Sequence, residues 1–81
     1  MVQAYILIMT EVGRAATVAS DVAGVEGVDW AEDVTGPYDV IVHAQAPDIE
    51  ELRRRIVAGT KEIPGVTRTI VCPVVPASAA R

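Results

Sequence analysis

The 81-residue sequence has few of the residues that disulfides, nucleic-acid binding and membrane insertion require. Its single cysteine, Cys72, excludes an internal disulfide and indicates a reducing compartment. Seven basic residues against 11 acidic ones give a net charge of −4, which repels a phosphate backbone, so direct nucleic-acid binding is not expected. The first apolar run stops at Thr10, too short to cross a bilayer, and no basic segment precedes it. We therefore expect a cytoplasmic protein that does not bind membranes.

Motifs for catalysis and metal binding are also scarce. His43 is the only histidine, and no ligand spacing typical of a metal site surrounds it. Asp39 lies four positions away on the same predicted strand, roughly 13 Å by strand rise, so the two cannot form an acid–base pair. There is no glycine-rich phosphate loop and no nucleophile elbow. The sequence thus predicts no metal, cofactor or catalytic residue, and we interpret His43 as an interface residue.

What the chain does contain is apolar material, which makes up 51% of its residues. A chain of this length forms one domain and buries only roughly 60% of the surface that its unfolded form exposes. So small a core cannot easily hide so many apolar side chains. We expect part of this surface to contact another subunit.

Hydrophobic periodicity predicts six elements. Both alternating faces of the first run are largely apolar, which is typical of a central strand. Asp48 followed by Glu51 has the spacing of a helix N-cap and its capping box. The predicted elements are a strand from Val2 to Thr10, a helix from Gly13 to Gly24, a strand from Gly27 to Thr35, a strand from Tyr38 to Ala46, a helix from Asp48 to Pro64-Gly65, and a strand from Val66 to Val75.

This order is the split βαβ plan of an α+β, ferredoxin-like fold, with a four-stranded antiparallel sheet and both helices on one face. The first and third strands are then central. If Val40, Val42 and Ala44 face the helices, the uncovered face holds Asp39, Ile41 and His43, together with about half of the apolar first strand. Exposing large apolar side chains forgoes roughly 1.5 to 3 kcal/mol each. We therefore predict a dimer that packs sheet against sheet.

Several other residues have plain structural interpretations. Period-two alternation puts Val28, Trp30 and Val34 on one side of their strand, so Trp30 should pack in the core or in a subunit contact. Cys72 is expected to be a buried, inert thiol. The run Arg53 to Arg55 is interpreted as a solvated helix face with i,i+4 ion pairs to neighbouring glutamates.

The stretch TGPYD, Thr35 to Asp39, allows two interpretations from its residues alone. It is a structural hairpin turn, with Asp39 capping turn amides and Tyr38 packing on the sheet, or it lines a ligand pocket. In a pocket, Asp39 is a suitable acceptor for an ammonium group, and Gly36 permits close approach of the backbone.

Three stretches resemble the ligand-binding domain of the Lrp/AsnC family of feast/famine transcription regulators, also called the RAM domain. VTGPYDVIVHAQAPDIEEL, from Val34 to Leu52, is similar to the family's strand, Thr-Gly-x-Tyr/Phe-Asp turn, apolar strand and Asp before a helix. YILIMTEVG, from Tyr5 to Gly13, resembles the first strand, and IPGVTRTIVCPVV, from Ile63 to Val75, resembles the last. The resemblance covers nearly all of the chain.

The resemblance implies a particular domain organisation. Family regulators carry an N-terminal helix-turn-helix domain that binds DNA, whereas this sequence starts directly on the first strand. We therefore expect a single ligand-binding domain over residues 1–76, a frayed tail over residues 77–81 and no DNA-binding domain. The expected protein is a stand-alone module that modulates transcription regulation and is not an enzyme.

The resemblance also implies a ligand and partners. In the family, sheet-packed dimers often gather into rings of dimers, and amino acids or related metabolites bind between subunits. Carried over by motif, the ligand-binding residues are Gly36, Tyr38 and Asp39, with Thr67 and Thr69 for the carboxylate. The implied partners are a second copy of the chain, an amino-acid effector and full-length Lrp/AsnC regulators.

Two alternatives stay open because one topology serves several functions. The first is a dimeric α+β barrel enzyme, such as a monooxygenase or isomerase, with His43 or Tyr38 as proton donor inside a closed cavity. The second is a purely structural oligomerisation module. The position of the pocket distinguishes the enzyme from the effector-binding module.

Overall fold

In the computed structural model, which describes residues 1–75, four antiparallel strands form one sheet and two helices lie on one of its faces. The frayed tail predicted for residues 77–81 lies outside these residues. Along the chain, the elements are β1 (Val2–Thr10), α1 (Ala15–Ala23), β2 (Val28–Asp33), β3 (Val40–Ala46), α2 (residues 49–61) and β4 (Val66–Pro73). This order confirms the predicted ferredoxin-like fold.

The strand order in the sheet is β2-β3-β1-β4, so β1 and β3 are central, as predicted. β1 pairs with β3 from Val2 opposite Ala46 to Ile8 opposite Val40. On its other side β1 pairs with β4, where Ile6 lies opposite Val71. The two edge strands, β2 and β4, each pair with one central strand.

The core lies between the sheet and the two helices. Alternate residues of the central strands face it and are fully buried, as the period-two pattern predicts. α1 contributes three residues and α2 contributes three more, so the core is almost entirely aliphatic. Its members are Ala4, Ile6, Ile8, Val18, Ala19, Val22, Val40, Val42, Ala44, Ala46, Leu52, Ile56 and Val57.

α2 begins at the predicted N-cap. The Asp48 carboxylate accepts a hydrogen bond of 2.9 Å from the backbone N–H of Glu51. The helix is α-helical at Ile49–Glu51 and at Ala58–Lys61, but Leu52–Val57 forms a π-helical turn. The spacing of apolar residues did not predict this π segment, since both kinds of helix bury one stripe.

A β-bulge in β2 overturns the prediction that Val28 and Trp30 share one side of the strand and excludes the core as the position of Trp30, while the predicted subunit contact stays a prediction. Val28 lies opposite Ala44 and Trp30 lies opposite His43, so Asp29 is an extra residue between two regular pairs. Val28 and Trp30 therefore face opposite sides of the sheet, and the prediction that they share a side was wrong. Trp30 does not enter the core and is 41% exposed.

The connection between β2 and β3 is longer than a two-residue turn. β2 ends at Asp33 rather than at Thr35, and β3 begins at Val40. The Val34 N–H donates to the Asp39 carbonyl at 2.8 Å, which closes a loop of four residues, 35–38. The TGPYD stretch is thus this loop together with the residue that closes it. The predicted hairpin is confirmed, with a wider turn.

The last strand ends earlier than predicted. β4 ends at Pro73 instead of Val75, although the Val74 N–H still donates to the Gln3 carbonyl at 2.8 Å.

Over residues 1–75, neither helix has the length and apolar character needed to pass through a bilayer.

Candidate functional site

One face of the sheet is left uncovered by residues 1–75. The residues on it alternate with the core residues of the same strands. Tyr5 is 42% exposed and Trp30 is 41% exposed. We call this surface the open sheet face; it consists of Gln3, Tyr5, Leu7, Met9, Trp30, Glu32, Ile41, His43, Gln45, Arg68, Ile70 and Cys72.

The centre of the open sheet face is apolar. Leu7 lies opposite Ile41 on one side and opposite Ile70 on the other, and all three are half-buried by their neighbours. This row exists because β1 is apolar on both of its faces. A contiguous apolar patch of this kind usually marks an interface.

One end of the open sheet face carries an aromatic cluster. The His43 ring stacks on Trp30 with a centroid distance of 5.8 Å and an interplanar angle of 17°. Tyr5 contacts His43 edge to face at 5.1 Å and Trp30 at 6.4 Å. These contacts fix the imidazole plane and bury most of its surface, because the His43 side chain is only 14% exposed.

Polar side chains from three strands complete this end of the face. His43 Nδ1 donates to Asp29 Oδ2 at 2.8 Å, and Gln45 Nε2 donates to the same oxygen at 2.9 Å. His43 Nε2 lies 3.2 Å from Gln3 Oε1. The hydrogen bond from Gln45 lowers the pKa of Asp29, with a further lowering from His43, while partial burial opposes it.

This pair was missed by the sequence interpretation, which considered only Asp39 as a carboxylate partner for His43. Asp29 reaches the ring because the bulge turns its side chain toward the neighbouring strand. A carboxylate on Nδ1 sets the tautomer, as it does for a general base. However, the other ring nitrogen, Nε2, faces Gln3. In the single chain the ring also lies on an open surface, whereas the enzyme alternative requires an enclosed cavity. The His43–Asp29 pair therefore has the geometry of a rigid surface network.

The predicted ligand residues of the loop lie beside the end of β1. The Asp39 backbone N–H donates to the Ile8 carbonyl at 2.9 Å, and Asp39 Oδ2 accepts from the Thr10 N–H at 2.8 Å. One carboxylate oxygen therefore anchors the loop to the sheet. Gly36 has φ of +148°, and a Cβ there would have no neighbour within 4 Å, so the loop tip is open. Tyr38 is half-buried.

The two predicted threonines lie on the other side of β1. Thr67 Oγ1 donates to the Met9 carbonyl at 3.1 Å, next to a second bulge in the β1–β4 pairing. Asp39 and Thr67 thus flank the same end of β1, because their side chains bond to opposite sides of the Met9–Thr10 peptide group. Thr69 lies opposite Ile8 and therefore on the helix-covered face, away from Thr67. The structure brings Thr67 and Asp39 to one end of the sheet but does not bring Thr69 there.

Of the remaining predictions for single residues, the one for the arginine run is confirmed and the one for Cys72 is wrong. Arg54 and Arg55 both pair with Glu51, and Arg55 also pairs with Glu26, as expected of a solvated helix face. Cys72 is exposed on the open sheet face, so the prediction of a buried thiol was wrong for the single chain. Within residues 1–75, no group of three or more His, Cys, Asp or Glu side chains could hold a metal ion.

The fold and its signature stretches are shared with a known family. The model of the Lrp/AsnC ligand binding domain matches residues 3–76, so the chain belongs to this family of ligand-binding domains. The resemblance carried by the TGPYD stretch and by the first and last strands is therefore confirmed. No curated protein sequence matches.

Solved structures show the same architecture. The chain is similar to TTHA0845 from Thermus thermophilus, with 30% identity and a TM-score of 0.87 over 95% of this chain and 96% of that one. It is also similar to the hypothetical protein PHS023 from Pyrococcus horikoshii, with 27% identity and a TM-score of 0.84 over 93% of this chain and 90% of that one.

A third similar structure is longer. It is the transcriptional regulator NMB0573 from Neisseria meningitidis, solved as an L-Met complex, with 19% identity and a TM-score of 0.79. The match covers 94% of this chain but 51% of that one. At this identity the likeness shows a shared fold.

Proposed function

We propose that this domain is an effector-binding and oligomerisation module. It associates through its open sheet face, binds an amino acid or a related metabolite at a subunit interface, and modulates transcription regulation. The observation that carries the proposal is the uncovered apolar face in a chain of the Lrp/AsnC ligand-binding domain family. Two helices cover only one side of the sheet, so the other side needs a partner.

The composition of the open sheet face suits a second copy of the same chain. Burying Leu7, Ile41 and Ile70 against an identical face stabilises the dimer by less than the roughly 1.5 to 3 kcal/mol of a fully exposed side chain each, because all three are already half-buried in the single chain. At the polar end of the face, Asp29 already accepts hydrogen bonds from His43 and Gln45, so its carboxylate has partners within the chain when an interface covers it. A two-fold arrangement is the simplest one that covers both faces at once.

The predicted ligand residues suit an amino acid at one end of β1. Asp39 and Thr67 bond to opposite sides of the Met9–Thr10 peptide group, so a carboxylate and a hydroxyl lie close together there. Binding of the amino acid at a subunit interface follows from the family resemblance and from the open tip of the loop at Gly36. Asp39 keeps one carboxylate oxygen for the ligand while the other holds the Thr10 amide. The L-Met complex of the similar regulator NMB0573 supports this class of ligand.

Binding across an interface couples ligand to assembly. A ligand that contacts two subunits stabilises the assembled form by mass action, so it shifts the oligomer equilibrium, including any ring of dimers. The regulatory output is then a change in the module's own assembly or in its contact with full-length Lrp/AsnC regulators.

Sedimentation velocity with and without each of the twenty amino acids tests the proposal. We expect a species larger than the 8.6 kDa chain at micromolar concentration, and a further change in size or melting temperature with a subset of amino acids. The Asp39→Asn variant should lose the amino-acid response. The Asp33→Asn variant, which changes an exposed carboxylate at the end of β2, should keep it.

Two results would contradict the proposal. A well-folded monomer at micromolar concentration would exclude the sheet-packed dimer. An unchanged oligomeric state and an unchanged melting temperature with all twenty amino acids would exclude an amino-acid effector but would not contradict the dimer.

A further inference from the structure

A groove lies between α2 and the edge strand β4, on the side of the sheet that the helices cover. Its volume is about 480 Å³, within the range of small-molecule sites. Neither the open sheet face nor the loop that holds Gly36, Tyr38 and Asp39 contributes to it. The groove is lined by Ile49, Arg53, Val57, Ala58, Lys61, Val71 and Pro73.

The lining combines five apolar residues with two basic ones and contains no acidic residue. This is notable in a chain whose net charge is −4. Arg54 and Arg55 pair with glutamates, whereas within residues 1–75 Arg53 and Lys61 form no ion pair. Their positive charge is therefore available to a ligand.

The row of residues that α2 presents to the groove follows from its sequence spacing. Ile49, Arg53, Val57 and Lys61 recur at intervals of four and so lie along one side of the helix. Arg53 and Val57 belong to the π-helical segment. Such segments are rare and are frequently found at functional sites.

We propose that this groove binds a small monocarboxylate that has an apolar body and no ammonium group. Val57 and Val71 contact the apolar body, and a basic side chain holds the carboxylate. The ammonium group of an amino acid would find no counter-charge in the lining, so an amino acid binds less well here than the matching carboxylic acid. The groove is thus a second site, chemically distinct from the proposed amino-acid site at Asp39.

The carboxylate binds at the Lys61 end of the groove. Arg53 and Lys61 are eight residues apart, roughly 12 Å along the helix, so a small carboxylate contacts one of them at a time. Lys61 also borders a neighbouring cleft that contains Arg68. Arg53 instead borders a cleft with three carboxylates, Asp48, Glu50 and Glu51, which reduces the positive potential there.

Calorimetric titration of the intact chain with 4-methylpentanoate and with leucine tests the proposal, because the two probes differ by the ammonium group. We expect saturable binding of 4-methylpentanoate. The Lys61→Gln variant should weaken it about fivefold, the upper end for an exposed ion pair, and Arg53→Gln should weaken it less. Arg54→Gln is the matched control and should not change it, because Arg54 lies outside the groove.

A second variant tests the apolar part of the groove. Ala58 is exposed on α2 and lines the groove, so Ala58→Glu should fold normally and abolish binding by filling the groove with negative charge. Equal melting temperatures of the variants confirm that folding is preserved. The Asp39→Asn variant should bind 4-methylpentanoate normally, so failure of the groove and failure of the amino-acid site give different results.

Three outcomes would overturn the proposal. The first is no saturable binding of 4-methylpentanoate at millimolar concentration, and the second is binding that the Lys61→Gln and Ala58→Glu variants leave unchanged. The third is a change of oligomeric state in these variants, which would make the groove a contact between copies of the chain.

Discussion

The two faces of the sheet are built from alternate residues of the same strands, yet they differ in chemistry. On β1, Ile6 is fully buried under the helices, while its neighbour Leu7 lies half-buried on the open sheet face. The buried strand residues of the covered face are all aliphatic. The open sheet face adds two large aromatic residues and a histidine held by a carboxylate.

Under the proposed function, this difference separates the residues that the chain needs to fold from those that it needs to associate. Aliphatic side chains fill the covered face by shape alone and require no hydrogen-bond partner. Amphipathic residues such as Tyr5, Trp30 and His43 can be half-exposed in one chain and still pack in an interface. Substitutions on the two faces should therefore affect different measurements.

The largest effect is expected from truncating neighbouring residues on opposite faces. Ile6→Ala should lower the free energy of unfolding by about 2–5 kcal/mol, because it opens a cavity in the core. Leu7→Ala should lower it far less under conditions that keep the chain monomeric, but should weaken dimerisation about tenfold. Urea unfolding and sedimentation equilibrium measure the two quantities. Equal losses of unfolding free energy in the two monomeric variants would contradict the distinction between the faces.

Two glycines extend the comparison to the loops. Gly27 has φ of +98°, and a Cβ there would lie 2.6 Å from Ile56 Cδ1. Gly27→Ala should therefore lower the free energy of unfolding by about 2–4 kcal/mol, because the backbone strain of a positive φ and the clash with Ile56 both destabilise the folded state. Gly36→Ala meets no atom within 4 Å and should cost about 1 kcal/mol from its positive φ alone. Thermal unfolding of the two variants checks which one is less stable, and a larger loss of stability in Gly36→Ala than in Gly27→Ala would contradict the prediction.

Loss of the N-cap of α2 should lower the free energy of unfolding by less than a cavity or a clash in the core does. Asp48→Ala removes the hydrogen bond to the Glu51 amide and should lower the free energy of unfolding by about 1 kcal/mol. Asp48→Asn keeps an acceptor and should recover most of the loss. Urea unfolding measures both variants, and similar losses in the two would show that the cap oxygen is unimportant.

The smallest effect is expected from the polar network of the open sheet face. The pKa of Asp29 is lower in the folded chain than in the unfolded chain, so the unfolded state binds more protons in this range. The contribution of Asp29 is complete above the unfolded pKa of about 3.9 and is lost as pH falls through the folded pKa. It is small, because the side chain is 39% exposed.

Urea unfolding as a function of pH checks this sign. Below about pH 4, wild-type stability should fall more steeply than that of Asp29→Asn, which cannot titrate. The Asp33→Asn variant provides a control with the same charge change in the same strand. Identical slopes for the wild type and Asp29→Asn would contradict the role of the network.

Much of the covered face could be predicted from the sequence. Alternation in β3 separated Val40, Val42 and Ala44, which prove to be buried, from Ile41 and His43, because successive side chains of a strand point to opposite faces of the sheet. The N-cap at Asp48 was found from local spacing, since the bond spans only three residues. Local rules thus predict local structure.

The polar network could not be predicted in this way. The bulge at Asp29 depends on how β2 pairs with β3, and nothing within one strand reveals an extra residue. The same bulge moved Trp30 to the other face and brought Asp29 to His43. Assignment of Gly36, Tyr38, Asp39, Thr67 and Thr69 as ligand-binding residues stays a prediction, because it depends on a second subunit.

The two bulges also affect how the sheet can grow. Each edge strand is distorted, β2 at Asp29 and β4 near Thr67, and β4 ends in a proline that has no amide hydrogen. A foreign strand added to either border would meet an irregular row of backbone groups. Polymerisation into fibrils by strand addition is therefore disfavoured, which leaves the open sheet face as the surface for the proposed association.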